Sequence, residues 1–189
     1  EGVPNRDPNY PARAGKGSAL MGGVREPMMV YWPGVTKAGS NCEQKVIIED
    51  FFPTILEMAG IQHYETVQTV DGKSFVGLLR NPKKVEADKT LVWHFPNLWG
   101  ETQEIAEGYG AYSSILKGDY HLIYHWENGL TELYNVKNDI SEQNNLTGDM
   151  PDKVRELSSE LTDYLKARNA QRPSLKTTHE MLSYPDGSK

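Results

Sequence analysis

The sequence of 189 residues is poor in several things, and each shortage excludes a class of function. There is one cysteine, Cys42, which rules out an internal disulfide, a cysteine-based zinc site and a CxxC redox pair. Basic residues are outnumbered, 20 against 26 acidic, for a net charge of -6. That balance argues against a general nucleic-acid binder, which needs a basic surface to displace counterions, though a local basic pocket stays open. No run approaches the roughly 18–20 apolar residues of a membrane helix, so no membrane partner is expected. No basic-then-apolar leader opens the chain. Glu1–Pro4 carry no Met and no helix or strand signal, which reads as a piece of a longer chain. Conventional catalytic motifs are missing too: G-x-S-x-G, HExxH, the P-loop, GxGxxG and the EF-hand loop do not occur.

What is present begins with bulk for a core: ten Tyr, four Trp and four Phe. Residues 1–15 are rich in Pro and Gly and read as loop. Met28–Trp32 is a short apolar run stopped by Pro33-Gly34, which predicts a strand buried on both faces. Ile48, Phe51, Phe52, Ile55, Leu56 and Ala59 follow the spacing of one buried helical face. Asp50 is placed to cap that helix, Pro53 falls in its first turn, and Gly60 supplies the stop. Leu91–Phe95 is another short strand candidate, and 97–110 reads as loop. Ala111–Lys117, Tyr120–Trp126 and Leu130–Val136 are aromatic and β-branched runs joined by Gly118-Asp119 and Glu127-Asn128-Gly129, which predicts a meander. Val154, Leu157, Leu161, Tyr164 and Leu165 form the stripe of a second helix opened by Asp149 and Pro151. The tail 169–189 reads as irregular chain.

Candidate chemistry is sparse. Lys16 sits between two glycines, ahead of Gly22-Gly23. Glycines let backbone N–H groups approach a ligand, and the ammonium adds a point charge for sulfate or phosphate. A solvated loop lysine is the other reading. His121 and His125 share one face of a strand with Ile123; they are either a metal pair lacking a nearby third ligand, or exposed or half-buried imidazoles. Cys42 lies in a polar loop as a passive thiol, and Asn145-Leu146-Thr147 fits a glycosylation sequon.

The segments Gly15-Lys16-Gly17-Ser18, Gly22-Gly23-Val24-Arg25-Glu26-Pro27, Tyr31-Trp32-Pro33-Gly34 and Asp50–Ile61 resemble the C-terminal half of a type I sulfatase (arylsulfatase). Its patterns there are G-K-G-[ST], E-G-G-x-R-x-P, W-P-G and D-x-x-P-T-[IL]-L-x-x-A-G. Further on, Asp71–Phe75 resembles D-G-x-S-[LF], Gly118–Ile123 resembles G-D-[YW]-K-L-I, Glu132–Asn135 resembles E-L-Y-[DN], and Asp139–Leu146 resembles D-P-x-E-x-x-N-L. Each motif is unspecific alone; the ordered set is not. Met21 stands where the family usually has Glu, and His121 where it has Lys.

The resemblance implies an α/β fold: the edge of an alkaline-phosphatase-like sheet (strand plus helix) over residues 1–84, then a small antiparallel sheet packed on one C-terminal helix over 85–189. It implies hydrolysis of sulfate esters, of sulfated carbohydrates above all, with calcium and a formylglycine nucleophile. Neither belongs to this stretch: the formylglycine motif C/S-x-P-x-R is absent, Cys42 being followed by Glu-Gln-Lys-Val, and the metal-binding Asp-Asn pair is missing. The chain alone is therefore expected to be inactive, with the N-terminal half of the sulfatase as its partner. Only Lys16 transfers, as the sulfate-contacting lysine. Arg25 and Gly22-Gly23 match a segment that shapes the loop after it. His94, in a segment near the pocket mouth, is a candidate on the substrate side. A secreted, periplasmic or lysosomal setting is also implied. Two other functions compete: a phosphatase or phosphodiesterase of the same superfamily, and a non-catalytic glycan- or protein-binding module whose Tyr120, Tyr124 and Trp126 stack on sugar rings.

Overall fold

The computed structural model describes residues 9–85, 89–98 and 104–187. Parts of the loops expected at 1–15 and 97–110, and the last residues of the tail, lie outside them. The elements are α1 (Met21–Val24), α2 (Phe51–Met58), α3 (Val76–Arg80), β1 (Thr90–Phe95), β2 (Tyr112–Lys117), β3 (Tyr120–His125), β4 (Thr131–Asn135) and α4 (Pro151–Ala167). Contacts divide them into two units. One comprises the residues up to Glu26 together with those from Thr90 onward, the other Pro27–Lys89. By contacts alone the later boundary lies at 89/90, and the Lys16 segment groups with the residues from Thr90 onward.

In the first unit the four strands form an antiparallel meander in the order β1-β2-β3-β4. Leu91 faces Leu116, Ile115 faces Leu122, and Leu122 faces Leu133. Gly118 takes a φ of +57° in the two-residue β2–β3 turn, the positive φ such hairpins demand. Side chains alternate across the sheet. One face, with Ile115, Leu122, Tyr124, Trp126 and Leu133, packs on Val154, Leu157, Leu161 and Leu165 of α4. Pro151 occupies the first turn of that helix, where its missing N–H is no loss. The opposite face, with Tyr112, Ile123 and Tyr134, carries Ala14, Ala19 and Leu20 from the N-terminal segment. The sheet is therefore a middle layer, buried on both sides.

The second unit departs from the sequence reading in three places. Met28–Trp32 forms no strand; Met29 is 97% and Tyr31 85% exposed. A strand needs a neighbour for its N–H and C=O groups, and none of the described residues pairs with this run. The helix α2 is present, and Gly60 (φ +78°) ends it with Ile61 N–H donating to Leu56 O at 2.9 Å. Its buried positions, however, are Pro53 and Thr54, while Ile48, Phe52 and Ile55 of the expected core face lie exposed. Finally, Asp50 does not cap α2. It already has helical φ/ψ, and its carboxylate points backwards. It accepts from Ile47 N–H (3.0 Å) and Lys73 N–H (2.9 Å) and pairs with Lys89. Gly72 makes this possible, because any Cβ there would collide with the Glu49 carbonyl.

Candidate functional site

Lys16 stands at the corner of a tight turn, exposed to solvent. Ser18 N–H donates to Gly15 O at 3.0 Å, closing the turn over Lys16 and Gly17, and Gly17 has a φ of +93°. A turn of this kind requires a residue without Cβ at its third position, so the second glycine of Gly15-Lys16-Gly17-Ser18 is geometric in origin. Downstream, α1 folds back under the loop. A Cβ on Gly22 would strike the Arg13 and Ala14 carbonyls, and one on Gly23 those of Ser18 and Gly15. The Gly22-Gly23 pair thus lets the backbone before and after Lys16 close into a knot, with Gly22 N–H on Arg13 O at 2.9 Å.

This knot is tied down at several points. Ser18 Oγ donates to Glu107 O (2.7 Å) and accepts from Leu20 N–H (3.0 Å), and Ala19 N–H donates to Gly108 O (2.8 Å). Met21 N–H donates to Glu142 Oε2 at 2.6 Å. Underneath, Ala14, Ala19 and Leu20 pack on the sheet.

The two β3 histidines are neither exposed nor a metal pair. His121 and His125 are fully buried, each against a carboxylate: His121 Nδ1 on Glu142 Oε1 at 2.7 Å, His125 Nε2 on Glu132 Oε2 at 2.8 Å. Glu132 also accepts from the Tyr134 hydroxyl at 2.8 Å, and the Arg13 guanidinium lies 5.9 Å from the Tyr134 ring centroid. Burial pushes the Glu132 carboxyl up, but the hydrogen bond and charge of His125, then Tyr134 and Arg13, outweigh it and hold the group below the usual carboxylate range. Burial first, and the Glu132 carboxylate second, raise the Tyr134 phenol well above its ordinary value. Each of the two histidines is thus matched to one carboxylate beneath the Lys16 segment.

His94 lies on β1 with both ring nitrogens engaged inside the chain, Nδ1 with Ser113 Oγ and Nε2 with the Gln171 carbonyl, each at 2.7 Å. Gln171 O can only accept, so Nε2 carries a proton. Trp126 Nε1 donates to Ser113 Oγ at 2.9 Å, leaving the Ser113 hydroxyl to donate to His94 Nδ1. With His94 as the Nε2–H tautomer, every polar group of this network has a partner.

Of the other candidates, Arg25 and Cys42 are exposed. Asn145 Oδ1 accepts from the Leu133 and Thr147 N–H groups, at 3.1 Å each, securing the β4 edge. Tyr124 and Trp126 are core residues and offer no ring face for a sugar. Glu142 is the residue that the motif reading passed over. Nothing local marks a glutamate after a turn as buried, but its place in the D-x-x-E-x-x-N-L pattern, with a basic residue in G-D-[YW]-x-L-I, is the signal that points to it. Among the described residues no three His, Cys, Asp or Glu gather to hold a metal, and no helix is long and apolar enough to cross a membrane.

Comparison with known proteins agrees with the ordered motifs. Residues 19–171 match the family model of the N-sulphoglucosamine sulphohydrolase C-terminal domain. A sulfatase of Formosa agariphila is 34% identical over 94% of this chain and 33% of its own length. An N-acetylglucosamine-6-O-sulfatase of Bacteroides thetaiotaomicron is 31% identical over 82% of this chain and 27% of its own. Among solved structures, Ps i-CgsB in complex with k-i-k-neocarrahexaose superposes with a TM-score of 0.64 at 26% identity, covering 91% of this chain and 35% of that one. BT4656, in complex with its substrate D-glucosamine-2-N,6-O-disulfate, gives a TM-score of 0.58 at 28% identity, covering 73% and 27%. The chain spans about a quarter to a third of the length of these two curated relatives. It belongs to the sulfatase family, as a member of the N-sulphoglucosamine sulphohydrolase C-terminal domain.

Proposed function

We propose that this chain is the C-terminal part of a sulfatase that hydrolyses sulfate esters of carbohydrates, and that Lys16 contacts the sulfate. The observation that carries the reading is the Lys16 loop itself. A solvated surface lysine needs no such mounting, whereas here an exposed lysine stands on a turn closed by Gly17 and clamped from several sides. A fixed cation suits the charge that develops on sulfuryl oxygens as the ester breaks, and it costs no reorganisation when the reaction occurs. The sulfated-sugar chemistry named for two of the similar proteins supports carbohydrate as the substrate class.

In this reading the calcium and the formylglycine of the family are held by residues N-terminal to this chain in the longer protein. That portion is the proposed partner. The bare Ile48, Phe52 and Ile55 and the unpaired Met28–Trp32 run are the groups that would be covered by it. His94, its ring committed to Ser113 and Gln171, would serve the substrate side by holding the Phe95–Leu98 segment in place. We place domain 1–84 at the end of the α/β core, 85–189 in the C-terminal subdomain, and the protein in a secreted, periplasmic or lysosomal setting.

The test is Lys16→Ala in the longer protein with an aryl sulfate as substrate. Loss of one preorganised charge-stabilising group is expected to lower kcat/KM by about 10²–10³ with an unchanged melting temperature. Unchanged kinetics would remove Lys16 from the site. The isolated chain is expected to turn over no substrate.

A further inference from the structure

Glu142 is an unusual residue to find in a core. Its side chain is fully buried, its backbone holds the left-handed region (φ +50°), and both carboxylate oxygens are spoken for. A non-glycine residue at such a φ persists only when its surroundings over-determine it. The turn that does so is visible. Asp139, whose carboxyl burial pushes up but whose backbone partners pull lower, accepts from Asn144 N–H at 2.8 Å and Gln143 N–H at 2.9 Å, while Glu142 N–H reaches Asp139 O at 3.1 Å. The result is a rigid arm that drives one carboxylate inward.

That carboxylate spans two otherwise separate parts of the chain. Oε2 takes the N–H of Met21, five positions after Lys16, and Oε1 takes His121 Nδ1 from the middle of the sheet. Among the described residues His121 has no other polar partner: its Nε2 is buried without one, and its ring stands edge-on to Trp93 at 6.0 Å. The imidazole therefore holds Glu142 and does nothing else that the geometry shows. A buried pair of this kind is poor evidence of stability, because burying the charges costs about what the attraction returns; what it provides is direction. Apolar packing of Ala19 and Leu20 would tolerate a small slide of the segment, whereas a short charge-assisted bond to one backbone N–H does not.

We propose that Glu142, held by His121, is a positioning residue for Lys16: it fixes the register of the Gly15–Val24 knot on the sheet, and with it the place of the ammonium at the sulfate. This rests on the reading of Lys16 as the sulfate-contacting lysine.

A double-mutant cycle in the longer sulfatase tests it, with kcat and KM for an aryl sulfate measured in the parent, Lys16→Ala, Glu142→Ala and the double variant. Misplacing a catalytic group by about 1 Å costs on the order of 10²-fold, so Glu142→Ala is expected to lower kcat at least tenfold. In the Lys16→Ala background it should cost nothing further, because the group it positions is gone. His121→Lys, which keeps a hydrogen-bond donor against Glu142, should retain kcat, and His121→Leu should reproduce the loss. If Glu142→Ala does not fold, Glu142→Met, which keeps the volume but offers the Met21 N–H no oxygen acceptor, carries the same cycle. An equal loss in both backgrounds, or none in either, overturns the positioning role while Lys16→Ala alone remains costly. A silent Lys16→Ala overturns the reading of the site instead.

Discussion

Ser113 and Ser114 are adjacent on β2, both fully buried, and the structure assigns them opposite worth. Ser113 Oγ accepts from Trp126 Nε1 and donates to His94 Nδ1. Ser114 Oγ has no partner among the described residues. Ser113→Ala strands an indole N–H in a residue that is 2% exposed and leaves the imidazole acceptor facing a methyl group. Each unsatisfied buried group costs about 1–3 kcal/mol, so the substitution should destabilise the chain by about 2–4 kcal/mol, less than twice the single figure because the groups share one network. Ser114→Ala removes a hydroxyl that already lacks its hydrogen bond, and is expected to be neutral or stabilising by up to about 1 kcal/mol. Urea unfolding followed by tryptophan fluorescence measures both, and Trp126 reports from the affected site. The decisive quantity is the difference between two serines that match in burial and chemistry. If both substitutions cost the same, the Ser113 network has no energetic meaning.

Three further outcomes follow from the same geometry. Gly23→Ala forces a Cβ into the Ser18 and Gly15 carbonyls and should cost about 1–3 kcal/mol or more in urea unfolding, whereas Gly148→Ala, with nothing within 4 Å, should cost little; equal effects would discount the close approach. Glu132 is held below its ordinary carboxyl value when folded, so it stabilises the chain above its unfolded value of ~4.3 and the contribution is lost as the pH falls through the lower folded value. Glu132→Gln should therefore flatten the fall of the urea midpoint from about pH 5 downward, and an unchanged acid slope would refute the pairing with His125. Leu161→Ala opens a cavity at the centre of the α4 stripe and should cost about 3–5 kcal/mol in the same assay; a loss below 1 kcal/mol would mean that α4 does not pack as described.

What the sequence made legible was what local chemistry encodes. The α4 stripe repeats at helical spacing, and the meander is written in two turns flanked by alternating side chains, so both appear where periodicity put them. The same alternation sorted His121, Ile123 and His125 onto one face correctly. It could not say that this face is covered, because the cover comes from residues 14–20, about a hundred positions away in the chain. Burial of Glu142 was likewise beyond local chemistry, and only its place in an ordered motif marks the residue: a charged side chain signals solvent until its partners are known, and these are a backbone N–H at position 21 and a ring at 121. The misread elements share one cause. Met28–Trp32 and the Ile48–Ile55 face carry the pattern of buried elements, and pattern reports the environment a segment is suited to, whether or not this chain contains it.

The contrast between the two faces of the sheet bears on how the Lys16 loop works. Against α4 the sheet uses leucine, isoleucine, valine and aromatic rings, a surface that rewards area and is indifferent to small shifts. Toward the Lys16 segment it mixes a smaller apolar cluster with Glu132, His125, Tyr134, Glu142 and His121, whose bonds have fixed lengths and directions. If holding the segment down were the sole requirement, apolar residues of equal volume would do as well or better. Paired polar groups are the costlier construction, and what they add is a single allowed position. That addition is useless to a solvated lysine and necessary to one that must meet a sulfate at a set distance, so the polar face argues for the same function as the exposed turn it supports.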